Sequence, residues 1–273
     1  YCVSGVQSSA DAGYHVNTTG ATGQTACAAG NYTSSTGQNA CIKASVGYYV
    51  PTTAQTGQTA CPTGNYTSST ESSFCTPASA GYHVNTTAAT GQTACAAGNY
   101  TSSTGRNACT VTSAGYYATG TANTGQTICP AGTYGSTTGL TSSSCSGQCT
   151  AGYYCTAGSS SATQNACGAG KYCPTGSGSA TNCDAGYYGS STTNSVSTCN
   201  GQCTAGYYCP AGSTSATQNA CGAGNYCPTG SGSQTAASAG YHVNTTGATG
   251  QTACAAGNYT TSTGQNACTK ASA

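Results

Sequence analysis

Residues 13–46 read GYHVNTTGATGQTACAAGNYTSSTGQNACIKASV, and residues 240–273 read GYHVNTTGATGQTACAAGNYTTSTGQNACTKASA. The two stretches differ only at Ser34/Thr261, Ile42/Thr269 and Val46/Ala273. Each holds one small unit twice, because Gly13 and Gly30 stand in equivalent surroundings at a spacing of 17. The series continues at that spacing through Gly47, Gly64, Gly81, Gly98, Gly115 and Gly132. It then runs through Gly152, Gly170, Gly186, Gly206, Gly224, Gly240 and Gly257 at spacings of 16 to 20, which makes fifteen copies. Ala precedes the glycine in thirteen of them, and the residue two places after it is Tyr in twelve and His in three. So short a period implies a repeat array in which each unit contacts its neighbours and no single core organises the chain. Arrays of this kind build length and repeated surface, and seldom a unique catalytic cleft.

The units group into larger blocks. Residues 1–12 read as the end of a preceding unit, since Tyr1-Cys2 matches Tyr226-Cys227. Residues 13–148 form four 34-residue repeats, 149–239 hold two copies of a 54-residue cysteine-rich block, the second incomplete, and 240–273 return to the first theme. Within a unit, Gly-Tyr-Tyr or Gly-Asn-Tyr followed by Thr and Ser signals a short strand, and Thr-Gly-Gln or Ser-Thr-Gly signals a turn. Helical periodicity is absent. The expected fold is an elongated linear array of small disulfide-rich β repeats with short antiparallel strands, little or no helix, and the recurring Tyr packed against the next rung.

Composition narrows the class further. The 273 residues include one Leu, two Ile, one Phe and no Met or Trp. Apolar burial on this scale cannot offset the conformational entropy of folding. Twenty-one Cys supply the missing constraint and point to an oxidising compartment, outside the cell or on the secretory route. Four basic against three acidic residues leave no stripe able to neutralise phosphates, so nucleic acid is not an expected partner. Ser and Thr make up about a third of the chain, the composition of an O-glycosylated stalk. Seven Asn-x-Ser/Thr sequons, at Asn17, Asn31, Asn65, Asn85, Asn99, Asn244 and Asn258, recur at repeat-equivalent places and make covalent glycan an expected partner. The stretch holds no initiator Met, signal peptide or apolar span, so a segment of a longer array is expected, with further copies of the same or similar chains as neighbours.

The cysteines follow a code. Position Gly−3 and a second position, at a spacing of 14, gain and lose Cys together: Cys27 with Cys41, Cys61 with Cys75, Cys95 with Cys109 and Cys254 with Cys268. Intervening units carry Ala10 with Gln24, Ala44 with Gln58 and Ala78 with Gln92. Joint gain and loss is the signature of disulfide partners, and Cys129 with Cys145 and Cys183 with Cys199 repeat it at a spacing of 16. Closing loops of this size stabilises by about 3 kcal/mol each in the chain-entropy picture. Cys149, Cys167, Cys203 and Cys221 are each followed six residues later by Cys155, Cys173, Cys209 and Cys227. Local pairing is favoured there, with a crossed arrangement such as Cys149 to Cys167 as the alternative. Cys2 is left unpaired, its repeat-equivalent partner falling upstream of Tyr1.

Other chemistry finds no footing in the spacing. No CxxC pair occurs, which argues against a structural zinc site. His15, His83 and His242 occupy the rung position of Tyr32 and Tyr49, and no carboxylate or nucleophile recurs beside them. Asp11, Glu71 and Asp184 make no acid/base pair. No enzyme, metal or cofactor is expected.

The strings CPAGTYGSTTG (129–139), CTAGYYCTAGS (149–159) and CTAGYYCPAGSTSAT (203–217) resemble the GCC-type, ephrin-receptor-like cysteine-rich repeats of extracellular proteins, which abound at protist surfaces. The chain departs from that pattern at Cys41-Ile-Lys-Ala44, where the family keeps a CxxC. The resemblance implies flagellar-hair (mastigoneme) shafts or surface antigens and brings no catalytic residues. The expected function is therefore an extracellular structural protein, a glycosylated, disulfide-stapled filament or shaft. The alternative is an adhesin, surface-antigen or receptor-stalk ectodomain. An ice-binding role needs a flat Thr-x-Thr face at constant register, which spacings of 16, 18 and 20 break.

Overall fold

A computed structural model describes residues 1–3 and 5–272. Their regular structure is thirty-two two-residue strands, paired into sixteen antiparallel two-stranded sheets, with no helix among the described residues. The chain is thus a tandem array of small disulfide-rich β repeats. It divides into two compact units, one of Tyr1–Thr127 with Thr138–Ser142, the other of Ile128–Thr137 with Ser143–Ala273.

One repeat is one hairpin. Tyr14–His15 pairs with Thr25–Ala26, and Asn31–Tyr32 pairs with Ile42–Lys43 in the same register. A tight turn opens each hairpin, with the Tyr14 N–H donating to the Asp11 carbonyl and the Asn31 N–H to the Ala28 carbonyl, each at 3.0 Å. The glycine is the third residue of that turn, at φ +87° for Gly13 and +88° for Gly30, as a type II turn requires. A second constraint coincides with the first. A Cβ on Gly13 would collide with the carbonyl oxygen of Ala54, one on Gly30 with that of Glu71, and one on Gly81 with that of Ala122. Turn conformation and close backbone approach together explain the unvarying glycine.

The core lies in two columns of small side chains, three residues before and three residues after each glycine. In the first unit these are Cys27, Ala44, Cys61, Ala78 and Cys95 on one side, and Thr33, Val50, Thr67, Val84, Thr101 and Ala118 on the other, all buried. The second unit fills the same places with Cys149, Cys183 and Cys203 and with Cys155, Cys173 and Cys209. Rungs approach too closely for larger residues, which is how a chain nearly free of Leu, Ile and Phe still has an interior. The buried threonines are satisfied: the Gly13 N–H is shared between Thr33 Oγ1 at 2.8 Å and the Thr33 carbonyl at 3.0 Å.

Rung joins rung by backbone hydrogen bonds that ignore side-chain identity. The Val16 N–H donates to the Gln38 carbonyl at 3.0 Å and the Ala54 N–H to the Cys27 carbonyl at 2.9 Å. In the second unit the Cys155 N–H donates to the Ser177 carbonyl and the Gly176 N–H to the Cys149 carbonyl, at 3.0 and 2.9 Å. Tyr32 extends this ladder by a backbone bridge to Gln55. The loop residue whose carbonyl meets the glycine is left-handed at several rungs even where it has a side chain, at φ 58°, 63° and 54° for Ala54, Glu71 and Ala88, whereas Thr193, which meets Gly152, is not.

Candidate functional site

Staples fix the free end of each hairpin against its turn. The structure joins Cys27–Cys41, Cys61–Cys75, Cys95–Cys109 and Cys254–Cys268 with Cα separations of 5.7–5.8 Å. Cys129–Cys145 and Cys183–Cys199 follow at 6.1 and 5.9 Å. The closely spaced cysteines are joined locally, as Cys149–Cys155, Cys167–Cys173, Cys203–Cys209 and Cys221–Cys227. These four bridges link one core column to the other, whereas the wider ones tie that column, buried at every such cysteine but the half-buried Cys254, to a half-buried loop end. Cys2, on strand Cys2–Val3, is an exposed free cysteine.

Where the cysteines lapse, an amide takes over. Gln24 Oε1 accepts the Asp11 N–H at 2.6 Å, Gln58 Oε1 the Ser45 N–H at 2.7 Å and Gln92 Oε1 the Ser79 N–H at 2.6 Å. The alternation of Cys/Cys with Ala/Gln was visible in the sequence, but not the role of the glutamine. Covalent and hydrogen-bonded staples alternate along the first unit.

Beside three of the disulfides lies a histidine. Strand Tyr14–His15 carries His15 so that Nδ1 is 3.2 Å from Cys41 Sγ, and His83 with Cys109 and His242 with Cys268 repeat the distance. In each cluster the ring nitrogen and both sulfurs lie within 4.8 Å of one another. A shallow cleft opens over the first, lined by His15, Asn17, Thr25, Asn31, Asn39 and Cys41, and another over His83, Asn85, Thr93, Asn99, Asn107 and Cys109. The relevant sequence signal is one fixed offset between each histidine and the first Cys of a pair, from His15 to Cys27, His83 to Cys95 and His242 to Cys254.

Each of these two clefts is lined by two sequon asparagines, Asn17 with Asn31 and Asn85 with Asn99. Asn17, Asn85 and Asn244 lie in exposed loops together with their sequon threonines Thr19, Thr87 and Thr246. Asn31, Asn65, Asn99 and Asn258 lie on strands, and their threonines Thr33, Thr67, Thr101 and Thr260 are buried in the core column. Asn31 Nδ2 donates to Glu71 at 3.0 Å, and Glu71 also pairs with Lys43 at 2.6 Å on the surface. The hydrogen bond from Lys43, then that from Asn31, holds the Glu71 carboxyl below its ordinary value. Near it, Thr67, Ser69, Glu71 and Ser72 line a polar hollow beside Phe74, which is exposed. No family model and no curated protein matches the chain.

Proposed function

We propose that this chain is an extracellular structural protein, a stretch of glycosylated, disulfide-stapled filament or shaft without catalytic activity. The observation that carries the reading is the constancy of the rung-to-rung bonding. The Gly N–H donates to the Gly+3 column of the next rung at Gly13/Thr33, Gly30/Val50, Gly152/Cys173 and Gly206/Cys227, whatever residue stands there. A device that propagates irrespective of side chain suits extension. Ten disulfides among the described residues suit an oxidising exterior, and sequons at repeat-equivalent sites suit a surface hydrated by sugar. Its partners are further copies of the same or similar chains and covalent glycans. The resemblance of 129–139, 149–159 and 203–217 to ephrin-receptor-like repeats of surface proteins points the same way.

Electron microscopy of native material labelled with an antibody to this chain tests the proposal. A fibre decorated at regular intervals is expected. Label confined to isolated stalks on cell membranes would overturn it in favour of a recognition ectodomain.

A further inference from the structure

All three histidines of the chain touch a disulfide, and the rung does not demand it. Tyr49 holds the equivalent place beside Cys61–Cys75, so the rung forms equally well without the imidazole. In His15/Cys27/Cys41, His83/Cys95/Cys109 and His242/Cys254/Cys268 one imidazole nitrogen and two sulfurs converge. We propose that, once reduced, each of these clusters is a binding site for a borderline-soft divalent cation of the zinc class. Two thiolates and a neutral imidazole are the ligand set such ions favour, and the cleft beside Asn17 and Asn39 leaves a fourth position open to water. Metal–sulfur bonds of about 2.3 Å in tetrahedral geometry place the two sulfurs about 3.8 Å apart. The Cα atoms, 5.7–5.8 Å apart, can stay in place while the side chains rotate.

Entry to the site is reductive and uses an ordinary small thiol. Its thiolate attacks the half-buried Cys41 Sγ, the bond to the fully buried Cys27 breaks, and Cys27 leaves as a thiolate that takes up a proton. A second thiol then displaces Cys41 from the mixed disulfide and departs as the oxidised small-molecule disulfide, so two electrons pass to the protein. Binding of the cation releases the two cysteine protons to water. The rung tolerates loss of the covalent staple, because the units of Ala10/Gln24 and Ala44/Gln58 form the same hairpin without one. This proposal is independent of the filament reading.

The test uses the full chain, reduced with limiting dithiothreitol, freed of reductant and titrated anaerobically with Co2+. The expected result is a thiolate-to-cobalt charge-transfer band with tetrahedral d–d bands, saturating at three ions per chain and abolished by Zn2+. Zinc should shield Cys27, Cys41, Cys95, Cys109, Cys254 and Cys268 from alkylation. The control is His15→Tyr/His83→Tyr/His242→Tyr, with the residue the chain itself uses at Tyr49. It should lose the three tetrahedral sites or weaken them about tenfold or more, as expected for a lost ligand. Absence of cobalt binding in the reduced wild type would overturn the proposal. So would equal stoichiometry and spectrum in the triple variant, or protection spread evenly over all cysteines.

Discussion

Gly13 and Ala54 meet backbone to backbone, the bare Cα of the glycine resting against a carbonyl oxygen more than two rungs further along the chain. Gly81 meets Ala122 in the same way, and in the other compact unit Gly206 meets Gly247. A left-handed φ costs an L residue about 1–2 kcal/mol, and overpacking about 1–3 more. Gly81→Ala should therefore lower stability by about 2–5 kcal/mol on those terms. Gly57→Ala, at a glycine with open space around it, is the control and should be nearly neutral. Thermal melting with hydrogen exchange at the flanking rungs reads the difference, and equal effects would refute the close-approach argument.

The partner loop predicts an effect of opposite sign. Ala88 sits at φ 54° where Gly105 and Gly139 occupy the equivalent places in other rungs. Ala88→Gly relieves the left-handed cost of about 1–2 kcal/mol and adds about 0.4–1 kcal/mol of unfolded-state entropy. The net expectation is a gain of up to about 1.6 kcal/mol, unusual for Ala→Gly, with Gly105→Ala losing a similar amount. A fall in melting temperature for Ala88→Gly would contradict it.

The interchange of Gln and Cys staples can be tested by converting one into the other. Ala44 is fully buried at the place Cys27 holds in the unit before, and Gln58 stands where Cys41 does. Ala44→Cys with Gln58→Cys should close a disulfide worth about 3 kcal/mol, a net gain of about 1.5–2.5 kcal/mol once the Gln58 hydrogen bond is lost, whereas Gln58→Ala alone should cost about 0.5–1.5 kcal/mol. Peptide mapping without reduction decides. Two free thiols at 44 and 58 would mean that the staples are not equivalent.

Glu71 carries the one pH effect to test. Its carboxyl is held low in the folded chain, chiefly by the hydrogen bond from Lys43, so the contribution is complete above the ordinary carboxylate range. It disappears as the pH falls through the depressed folded value. Wild type should melt slightly higher than Glu71→Gln at neutral pH and low salt, and the two should converge in acid. High salt should shrink the gap, since the pair is exposed. A gap that widens in acid would reverse the assigned sign.

On the proposed glycosylation, the two sequon sets should differ. Folding withdraws Thr33, Thr67 and Thr101 into the core, while Thr19 and Thr87 stay exposed. Glycopeptide mass spectrometry should find higher occupancy at Asn17, Asn85 and Asn244 than at Asn31, Asn65, Asn99 and Asn258. The reverse order would show that accessibility in the folded rung does not govern modification.

The hairpin period and its glycine were legible in the sequence because a type II turn and a backbone contact each exclude a side chain at one position. The Gln24 staple was not legible, since its partner is the Asp11 backbone N–H, which every residue but proline offers. The core column three residues after the glycine escaped for a related reason: Thr33, Val50 and Cys155 share a site defined by room, and residues so unlike form no visible pattern. The meeting of His15 with Cys41 needs the hairpin to close across the next unit, and only its recurrence at a fixed offset from Cys27 hinted at it.

The backbone hydrogen bonds between rungs have a kinetic corollary. Among the described residues they close over at most 29 positions, the span from Cys129 to Gly158. Loop-closure entropy grows with the length closed, so adding rungs adds no slower step to folding. At synthesis rates of about 5–20 residues per second, one rung emerges in about 1–3 s. Each hairpin can thus settle on the one before it while the ribosome is still supplying the next, and the time to mature should grow in simple proportion to the number of rungs.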